Sequence, residues 1–428
     1  MNEISKNQAA WTKIFNDYNI LEMIENQGFF LINSSDINKY REARLMTKFD
    51  TRLNLPDIFK ANKLSILPTS RGGYIISHFE AYKEFEILND DIIHVSFPSY
   101  IESIDFNNIT SESIAINCAF ISGILEDFVE DDTILPTVNG RMSSSIFDFY
   151  ILNSKNKSKI KVDVTNSQLE IDGGFEGAHS LVLLEAKNSL ADDFLVRQLY
   201  YPFRLWRSLV SKDVKPVFMT YSNSIFSLYE YNFKDPDDYN SLELIKHKNY
   251  SFEATSISME EILNVLKNVA IVDEPQVPFP QANNFKRVIN LCELLNLNDL
   301  SLDDITAEYS FDGRQSQYYS AAGMYLGLIE KHKKDKKIFL RLTTLGKSLL
   351  KMKYKERQLK LVELILSHEA FNKTFRMTID ESQIPDKDGI VRIMKDAALY
   401  KVKKEKTYVR RSSTIMAWVN WILDLIDE

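Results

Sequence analysis

The sequence LEIDGGFEGAHSLVLLEAKN, residues 169–188, predicts two β-strands joined by a short turn, and the second strand ends in two opposite charges. The apolar run Leu181–Leu184 is typical of the middle of a buried strand. Glu185 and Lys187 follow it with one alanine between them, so both side chains project from the same face of the strand. Because isolated buried charges are unfavourable, they persist where they are paired, metal-bound or used in chemistry. The stretch therefore contains a candidate functional site.

A third charge, Asp172, lies at the end of the preceding predicted strand, thirteen residues before Glu185. If the two strands pair antiparallel with this offset, the two carboxylates converge at one edge of the sheet. Such an oxygen-rich pair suits Mg²⁺, and without a cation the pKa of one carboxyl group would rise. Lys187 would then orient or deprotonate a water molecule, or stabilise the charge that builds on a phosphate. The three residues favour hydrolysis of a phosphodiester; the alternative is a surface ion pair at the end of a strand.

The composition narrows the classes of protein to consider. With 428 residues, 44% of them hydrophobic and 12% aromatic, we expect a globular chain of two or three domains. Cys118 and Cys292 are too few for a disulfide framework or a cysteine-based zinc site, which favours a reducing, cytoplasmic setting. The six histidines never approach one another at ligand spacing, so a zinc enzyme is not predicted. Neither a signal peptide nor an apolar run of about 18 residues is present, which predicts no membrane association.

The charge is distributed unevenly along the chain. The formal net charge is −8, yet residues 331–360 contain twelve Lys or Arg against two acids. A second basic stretch, residues 395–411, contains seven positive residues against two acids. Concentrated positive charge in the C-terminal third indicates a surface for a polyanion such as DNA. A solvated, lysine-rich face is the alternative interpretation.

The order of predicted elements divides the chain into four regions. We predict a mixed α/β N-terminal region over residues 1–110 and an α/β core over 111–272, in which a strand meander is followed by a helix and further strands. The proline-rich segment 273–284 reads as a linker. Three helices and a basic two-stranded hairpin over 285–353 have the layout of a winged helix-turn-helix. Residues 354–428 are predicted to repeat this plan as a second winged-helix-like domain, with a basic hairpin before the last helix.

The central region resembles the PD-(D/E)XK nuclease superfamily, and in particular type II restriction endonucleases with appended winged-helix modules. The resemblance rests on IDGG at 171–174, LLEAKN at 183–188 and QLYYPFR at 198–204. Ile171 stands where the proline of the superfamily's name would be. The resemblance covers residues 140–235 well and the C-terminal third by layout. It implies an α/β (α+β) fold with a restriction-endonuclease-like core and C-terminal winged-helix domains.

The resemblance also implies roles for individual side chains. Asp172 and Glu185 would bind Mg²⁺, Lys187 would act on the water or the phosphate, and Gln198 would lie over the metal site. A solvent-facing glutamine is the alternative for Gln198. Members of the superfamily often carry a further acid on a preceding helix, and the acids available for such a role are Glu126, Asp127 and Glu130, with Glu170 on the same strand face as Asp172.

Candidate DNA contacts follow from the predicted helix-turn-helix and from the basic stretches. The start of its third helix would read base edges, and the basic hairpin and the start of the last helix would contact phosphates. For each of these side chains, an ordinary polar surface position is the alternative. The candidates are Arg314, Gln315, Gln317 and Tyr318 on the third helix, Lys333, Lys334, Lys336 and Lys337 in the hairpin, Arg410 and Arg411 on the last helix, and Arg141 in a glycine turn.

These features favour a Mg²⁺-dependent, site-specific endonuclease of a restriction–modification system acting on double-stranded DNA. A homodimer is compatible with this interpretation, and a cognate DNA methyltransferase would be a genetic rather than a physical partner. The alternatives are a less specific nuclease of repair or phage defence on the same core, and a winged-helix transcriptional regulator with a nuclease-like domain. The presence of both acids and the lysine argues against the regulator.

Overall fold

The computed structural model describes residues 6–88, 91–308, 313–334 and 337–426, without the side chains of residues 307, 308, 313 and 314. The described chain forms two compact units, each with its own hydrophobic core. The first unit extends to Tyr221 and includes Ile225–Tyr250. The second comprises Ser222–Ser224 and the chain from Ser251 onward. The prediction of a mixed α/β protein is confirmed.

The N-terminal part of the first unit is a small α/β module. Its three strands form an antiparallel sheet in the order β1-β3-β2. Its core includes Trp11, Phe15 and Phe59, whose rings meet edge to face. The elements are α1 Lys6–Asp17, α2 Ile20–Gln27, β1 Phe29–Asn33, α3 Ser34–Asn38, α4 Ala43–Met46, a 3-10 turn Arg52–Asn54, α5 Asp57–Asn62, β2 Ser65–Pro68 and β3 Gly73–Ser77.

The rest of the first unit is built around one large sheet. Among the described residues, seven strands form it in the order β5-β14-β13-β12-β10-β9-β6. A separate hairpin, β7–β8, is inserted between β6 and β9, and β11 pairs with β4. The elements are β4 Tyr82–Glu84, β5 Ile92–His94, α6 Glu112–Ile121, α7 Ile124–Val129, β6 Leu135–Ser143, β7 Ile146–Leu152, β8 Lys159–Thr165, β9 Gln168–Glu176, β10 Ser180–Lys187, β11 Asp193–Leu195, α8 Arg197–Leu209, β12 Asp213–Ser222, β13 Ile225–Phe233 and β14 Leu242–Ser251.

Strand β10 lies inside this sheet, as its apolar sequence requires. It pairs antiparallel with β9 on one side and parallel with β12 on the other. The parallel pairing needs a crossover, and α8 supplies it between β10 and β12. Every residue from Ser180 to Ala186 is buried, so Glu185, near the end of β10, is a charged residue next to the apolar core.

Two adjacent glycines in β9 allow its neighbours to approach closely. A Cβ atom at Gly174 would lie 2.6 Å from the Cβ atom of Val138 on β6. A Cβ atom at Gly173 would lie 3.3 Å from Ile116 Cγ2 on α6. Since both spaces are taken by neighbouring side chains, the Gly-Gly pair brings α6 and β6 against the strand that carries Asp172.

The second unit is mainly helical. Its core packs Phe285 against Trp418, and Phe279 and Trp418 against Phe371. The segment 273–284, predicted as a linker, has neither helix nor strand. The elements are α9 Met259–Asn268, α10 Phe285–Leu297, α11 Leu302–Glu308, α12 Gly313–Tyr325, β15 Ile329–Lys334, β16 Lys337–Leu342, α13 Thr344–Leu350, α14 Tyr354–Leu366, α15 Glu369–Glu381, α16 Lys387–Asp396 and α17 Glu405–Leu423.

One predicted element of this unit is wrong. Helices α10–α12 and the antiparallel hairpin β15–β16 form as expected, but no second hairpin forms before the last helix in the described chain. The connection from α16 to α17 is short and turns through Ala398 and Lys401, which have φ angles of 51° and 54°. Such left-handed positions interrupt an extended strand, so the basic residues there belong to a turn.

No helix in the described ranges is both long and apolar enough to span a bilayer.

Candidate active site

The strand register places Asp172 and Glu185 together, as the spacing predicts. In the antiparallel pair β9–β10, Leu184 lies opposite Gly173, and one further step along the same register brings Glu185 opposite Asp172. Asp172 Oδ2 accepts a hydrogen bond of 2.9 Å from the backbone N–H of Ala186. The aspartate is therefore held against the strand that carries the other two motif residues.

Glu185 is buried and tied to two side chains. Its Oε1 accepts hydrogen bonds from Lys187 Nζ and from Gln198 Nε2, each at 2.5 Å. Gln198 lies in the first turn of α8, so the helix that follows the motif contacts Glu185 through this side chain. The other amide atom, Gln198 Oε1, is buried and accepts no hydrogen bond from the described residues. The structure thus brings together the four residues predicted for catalysis.

A further acid, Glu112, was missed by the sequence analysis. It is the first residue of α6, and Ser111 caps the helix by accepting a hydrogen bond from Ile114 N–H. The Glu112 carboxylate accepts a hydrogen bond from the backbone of Asn188, the residue that follows β10. The sequence signal for Glu112 was a serine followed by a glutamate at the start of a helix ahead of the first strand of the core. Many helices begin in this way, so the signal does not mark Glu112 as a site residue.

The acids considered for this position lie elsewhere. Asp127 accepts hydrogen bonds from the hydroxyl of Tyr250 at 2.6 Å and from Lys248 at 3.0 Å. Glu130 accepts one from Lys246 at 2.8 Å. These partners are on β14, three strands away from β10, so Asp127 and Glu130 stabilise the contact between α7 and that side of the sheet. For Glu126, the remaining candidate, no contact with Glu185 or Asp172 is seen.

Burial and the neighbouring charges shift the pKa values of three side chains in the cluster, Glu185, Lys187 and Glu112. Burial raises the pKa of Glu185 to about 8; Lys187 opposes the increase, and the charge of Asp172 adds to it. Burial by itself would lower the pKa of Lys187, but the surrounding carboxylates outweigh burial and raise it. The pKa of Glu112 is also raised by burial, with Lys187 lowering it and Asp172 raising it. The lysine is therefore held in its charged form, and the carboxyl groups favour a proton or another cation.

The donor atoms fit a hard divalent ion. Asp172, Glu185 and Glu112 offer carboxylate oxygens near the end of β10, and burial, with a smaller contribution from Asp172, raises the pKa of Glu185 although Lys187 pairs with it. The buried oxygen of Gln198 adds an acceptor beside them. Within the described ranges, no three His, Cys, Asp or Glu side chains are already grouped tightly enough to hold a metal ion. The chemistry of the donors therefore suits Mg²⁺, although Glu185 would have to exchange its bonds to Lys187 and Gln198.

Arg141 and Glu170 form an ion pair outside this cluster. The predicted glycine turn is wrong, because Arg141 lies within β6, where Gly140 has a φ of 86° at a bulge in the pairing with β9. Arg141 Nε donates to Glu170 Oε2 at 3.3 Å across the two strands, and both side chains are well exposed. Glu170 thus has a partner of its own on the face where Asp172 meets Glu185.

The candidate base-reading residues on α12 are in different environments. Gln315 is half-buried and accepts a hydrogen bond from Arg287 Nη1 at 3.2 Å, so its side chain is engaged within the unit. Gln317 is exposed and Tyr318 is half-buried. The side chain of Arg314 lies outside the described residues. Among the three side chains that the structure describes here, Gln317 is the most accessible to a ligand.

The basic hairpin β15–β16 presents its lysines to solvent. Lys333, Lys334 and Lys337 are exposed, and within the described part of the chain none of them has an ion-pair partner. Lys336 lies outside the described residues. The described strands of the hairpin therefore present three solvated lysines.

Arg410 and Arg411 do not begin the last helix, contrary to the prediction. Helix α17 starts at Glu405, which places both arginines in its second turn. Burial lowers the pKa of Arg411 and the neighbouring Arg410 lowers it further, while Tyr318 opposes the change. Tyr318 of α12 and Arg411 of α17 are therefore close neighbours in the second unit.

Comparison with protein families matches three models, each described as a domain of unknown function. They are DUF6996 over residues 8–76, DUF6997 over 77–251 and DUF7226 over 287–427. The end of the second match at residue 251 coincides with the boundary between the two structural units. Searches of curated proteins and of solved structures found no match.

Proposed function

We propose that the chain is a Mg²⁺-dependent endonuclease that cleaves double-stranded DNA at specific sites as part of a restriction–modification system. The observation that carries the proposal is the buried cluster at the end of β10, where Asp172, Glu185 and Lys187 meet Gln198. A strand buried for its whole length, yet ending in interacting charges, is expected where those charges do chemistry.

The arrangement of elements around the cluster also supports the proposal. Strands β6, β9 and β10 are antiparallel neighbours, and α8 then connects β10 to the parallel β12. This order of a strand meander, a helix and a further strand supports the proposal of a core similar to that of the PD-(D/E)XK nucleases. Glu112 supplies the further acid on a preceding helix that the resemblance implies.

Each side chain has a defined part in the proposed reaction. Asp172, Glu185 and Glu112 would hold the Mg²⁺ ion, which supplies a Lewis acid and a water of lowered pKa when bound. Lys187, kept as an ammonium group by the surrounding carboxylates, stabilises negative charge on the phosphate rather than removing a proton. Gln198 holds Glu185 in place through its amide N–H.

The second unit is proposed to dock the DNA. The exposed lysines of β15–β16 and the arginines of α17 provide positive charge of the kind that binds phosphates. Helices α10–α12 with the following hairpin have the layout of a winged helix-turn-helix, in which the third helix enters the major groove. In this arrangement, Gln317 is the residue placed to contact a base.

Digestion of a mixed plasmid DNA with Mg²⁺, followed by sequencing of the ends, tests the proposal. Ends at a small set of defined sequences are expected, with no cleavage when Ca²⁺ replaces Mg²⁺ or a chelator is present. Ends scattered over the plasmid would instead select a less specific nuclease. DNA that is bound but never cut would select a DNA-binding regulator and overturn the enzymatic proposal.

A further inference from the structure

Residues 47–52 of the N-terminal module are held against the core of the first unit. Phe49 within this segment is buried. The backbone is fixed at Phe49, Asp50 and Arg52, so the side chains next to these residues have a defined position. Its anchoring hydrogen bonds run from the Tyr82 hydroxyl to the Phe49 carbonyl (3.0 Å), from Leu195 N–H to the Asp50 carbonyl (2.8 Å) and from Arg52 N–H to Asp193 Oδ1 (2.9 Å).

This anchoring connects the segment to the candidate active site. Leu195 belongs to β11, which leads directly into α8, and the first turn of α8 carries the Gln198 that bonds Glu185. The carboxylate of Asp50 is close enough to Glu185 and Lys187 to act on the charge of both. This segment of the N-terminal module therefore lies near the motif residues at the end of β10.

The segment presents two cations, and Lys48 is the less engaged of them, because the Arg52 guanidinium lies 3.6–3.8 Å from Glu80, Glu84 and Asp193. The Lys48 side chain is 74% exposed, and its Nζ lies 3.7 Å from Asp50 Oδ2. It is also close enough to Glu112 to act on that carboxylate. An ion pair of this length is weak when its ammonium group is solvated, so Lys48 can turn toward a ligand although Asp50 itself is half-buried.

We propose that Lys48 is a substrate-binding residue of the active site, supplied by the N-terminal module, and that it binds a backbone phosphate of the DNA beside the cleaved bond. The inference rests on the nuclease function proposed above. Its geometric basis is an exposed, loosely paired lysine on an anchored segment at the rim of a carboxylate cluster.

The charges at this edge explain why such a cation is needed. Asp50, Glu112, Asp172 and Glu185 surround the half-buried ammonium group of Lys187. An approaching phosphate would be repelled by the carboxylates that the chemistry requires. A second ammonium group at the solvent side, attached to a fixed backbone, reduces this repulsion where the DNA enters.

The test compares variants of Lys48 in the full chain. We expect Lys48→Ala to lower the single-turnover cleavage rate about tenfold, measured with enzyme in excess over DNA but below saturation, because one charge-assisted phosphate contact is lost. Lys48→Arg should restore most of the rate. Lys13→Ala serves as the matched control, because Lys13 is also an exposed lysine of the N-terminal module. Both positions are exposed, so neither substitution should change folding.

A second measurement identifies the contact itself. A DNA substrate with one neutral methylphosphonate beside the cleaved bond should slow the wild type by the same factor as Lys48→Ala, and the two changes together should add nothing. Equal rates for Lys48→Ala and Lys13→Ala, or fully additive losses, would overturn the inference. If Glu185→Ala still abolishes cleavage, only the role of Lys48 fails; if the wild type neither cuts nor binds DNA, the proposed nuclease fails with it.

Discussion

Two carboxylate–cation pairs on neighbouring strands of the large sheet differ mainly in their exposure. The side chains of Glu185 and Lys187 are 9% and 21% exposed, whereas those of Glu170 and Arg141 are both 57% exposed. An exposed pair contributes roughly 0–1 kcal/mol and is screened by salt. A buried pair must be balanced by its surroundings, and it shifts the pKa of its members. Burial, rather than pairing, therefore distinguishes a candidate active site from an ordinary surface contact.

The same contrast separates the cluster at β10 from the lysines of the hairpin β15–β16. The buried charges can act on a bound phosphate at close range, because little water screens them. Under the proposed function, the exposed lysines would act through counterion release and add DNA affinity without sequence preference. The proposed function therefore assigns catalysis to the first region and DNA docking to the second.

The largest expected effect comes from removing the buried carboxylate. Glu185→Ala should lower cleavage by about a thousandfold or more, because a metal ligand and the partner of Lys187 are lost together. Glu170→Ala, which removes the exposed acid of the same sheet, should leave the rate within about twofold of the wild type. Single-turnover cleavage of plasmid DNA measures both variants. Comparable losses in the two would mean that burial does not mark the site.

Glu112→Gln should have the next largest effect. The substitution keeps the size of the side chain at the start of α6 and removes the charge that adjoins Asp172 and Lys187. We expect Mg²⁺ affinity to fall about tenfold to a hundredfold, as for other groups that support a metal site. Glu130→Gln, on the neighbouring helix and paired with Lys246, is the control. Unchanged Mg²⁺ binding in the Glu112 variant would exclude it from the site.

Neutralising the lysines of the hairpin should change the salt dependence of DNA binding and leave the cleavage reaction itself unchanged. Replacing Lys333, Lys334 and Lys337 together with Gln removes up to three phosphate contacts, so the loss of DNA affinity between about 50 and 200 mM salt should become about fortyfold smaller. The cleavage sites should not change, because phosphate contacts do not specify sequence. A matched control replaces three lysines that already have carboxylate partners, namely Lys39, Lys157 and Lys161. An unchanged salt slope in the hairpin variant would show that this surface does not contact DNA.

The smallest expected effect is a dependence of Mg²⁺ affinity on pH. Burial, with a contribution from Asp172, raises the pKa of Glu185 from 4.5 to about 8, so the folded, metal-free protein keeps this proton through neutral pH. Mg²⁺ must displace the proton, so its affinity should fall about tenfold for each pH unit below about 8 and level off above that value. Calorimetric titration in buffers of different ionisation enthalpy measures the released proton. Glu185→Gln should abolish the release, whereas Glu170→Gln should retain it.

Local patterns were sufficient to predict the central strands of the core. The alternation in β7 and β8 and the apolar run of β10 predict strands from residues that are adjacent in sequence. The hairpin predicted near Lys401 is wrong, because a basic stretch does not by itself make a strand and the connection turns through left-handed positions at Ala398 and Lys401. The strand β14 was not predicted, because its polar and apolar residues do not alternate clearly.

The grouping of Asp172, Glu185 and Lys187 follows from the sequence itself, because side-chain alternation and a short turn set their relative positions. Glu112 joins them only after α6 packs on β9, which the glycines at 173 and 174 permit. Lys48 and Asp50 reach the same edge through hydrogen bonds to residues far away in the chain. Burial of Glu185 depends on all these contacts together, and a sum of long-range contacts has no local signature in the sequence.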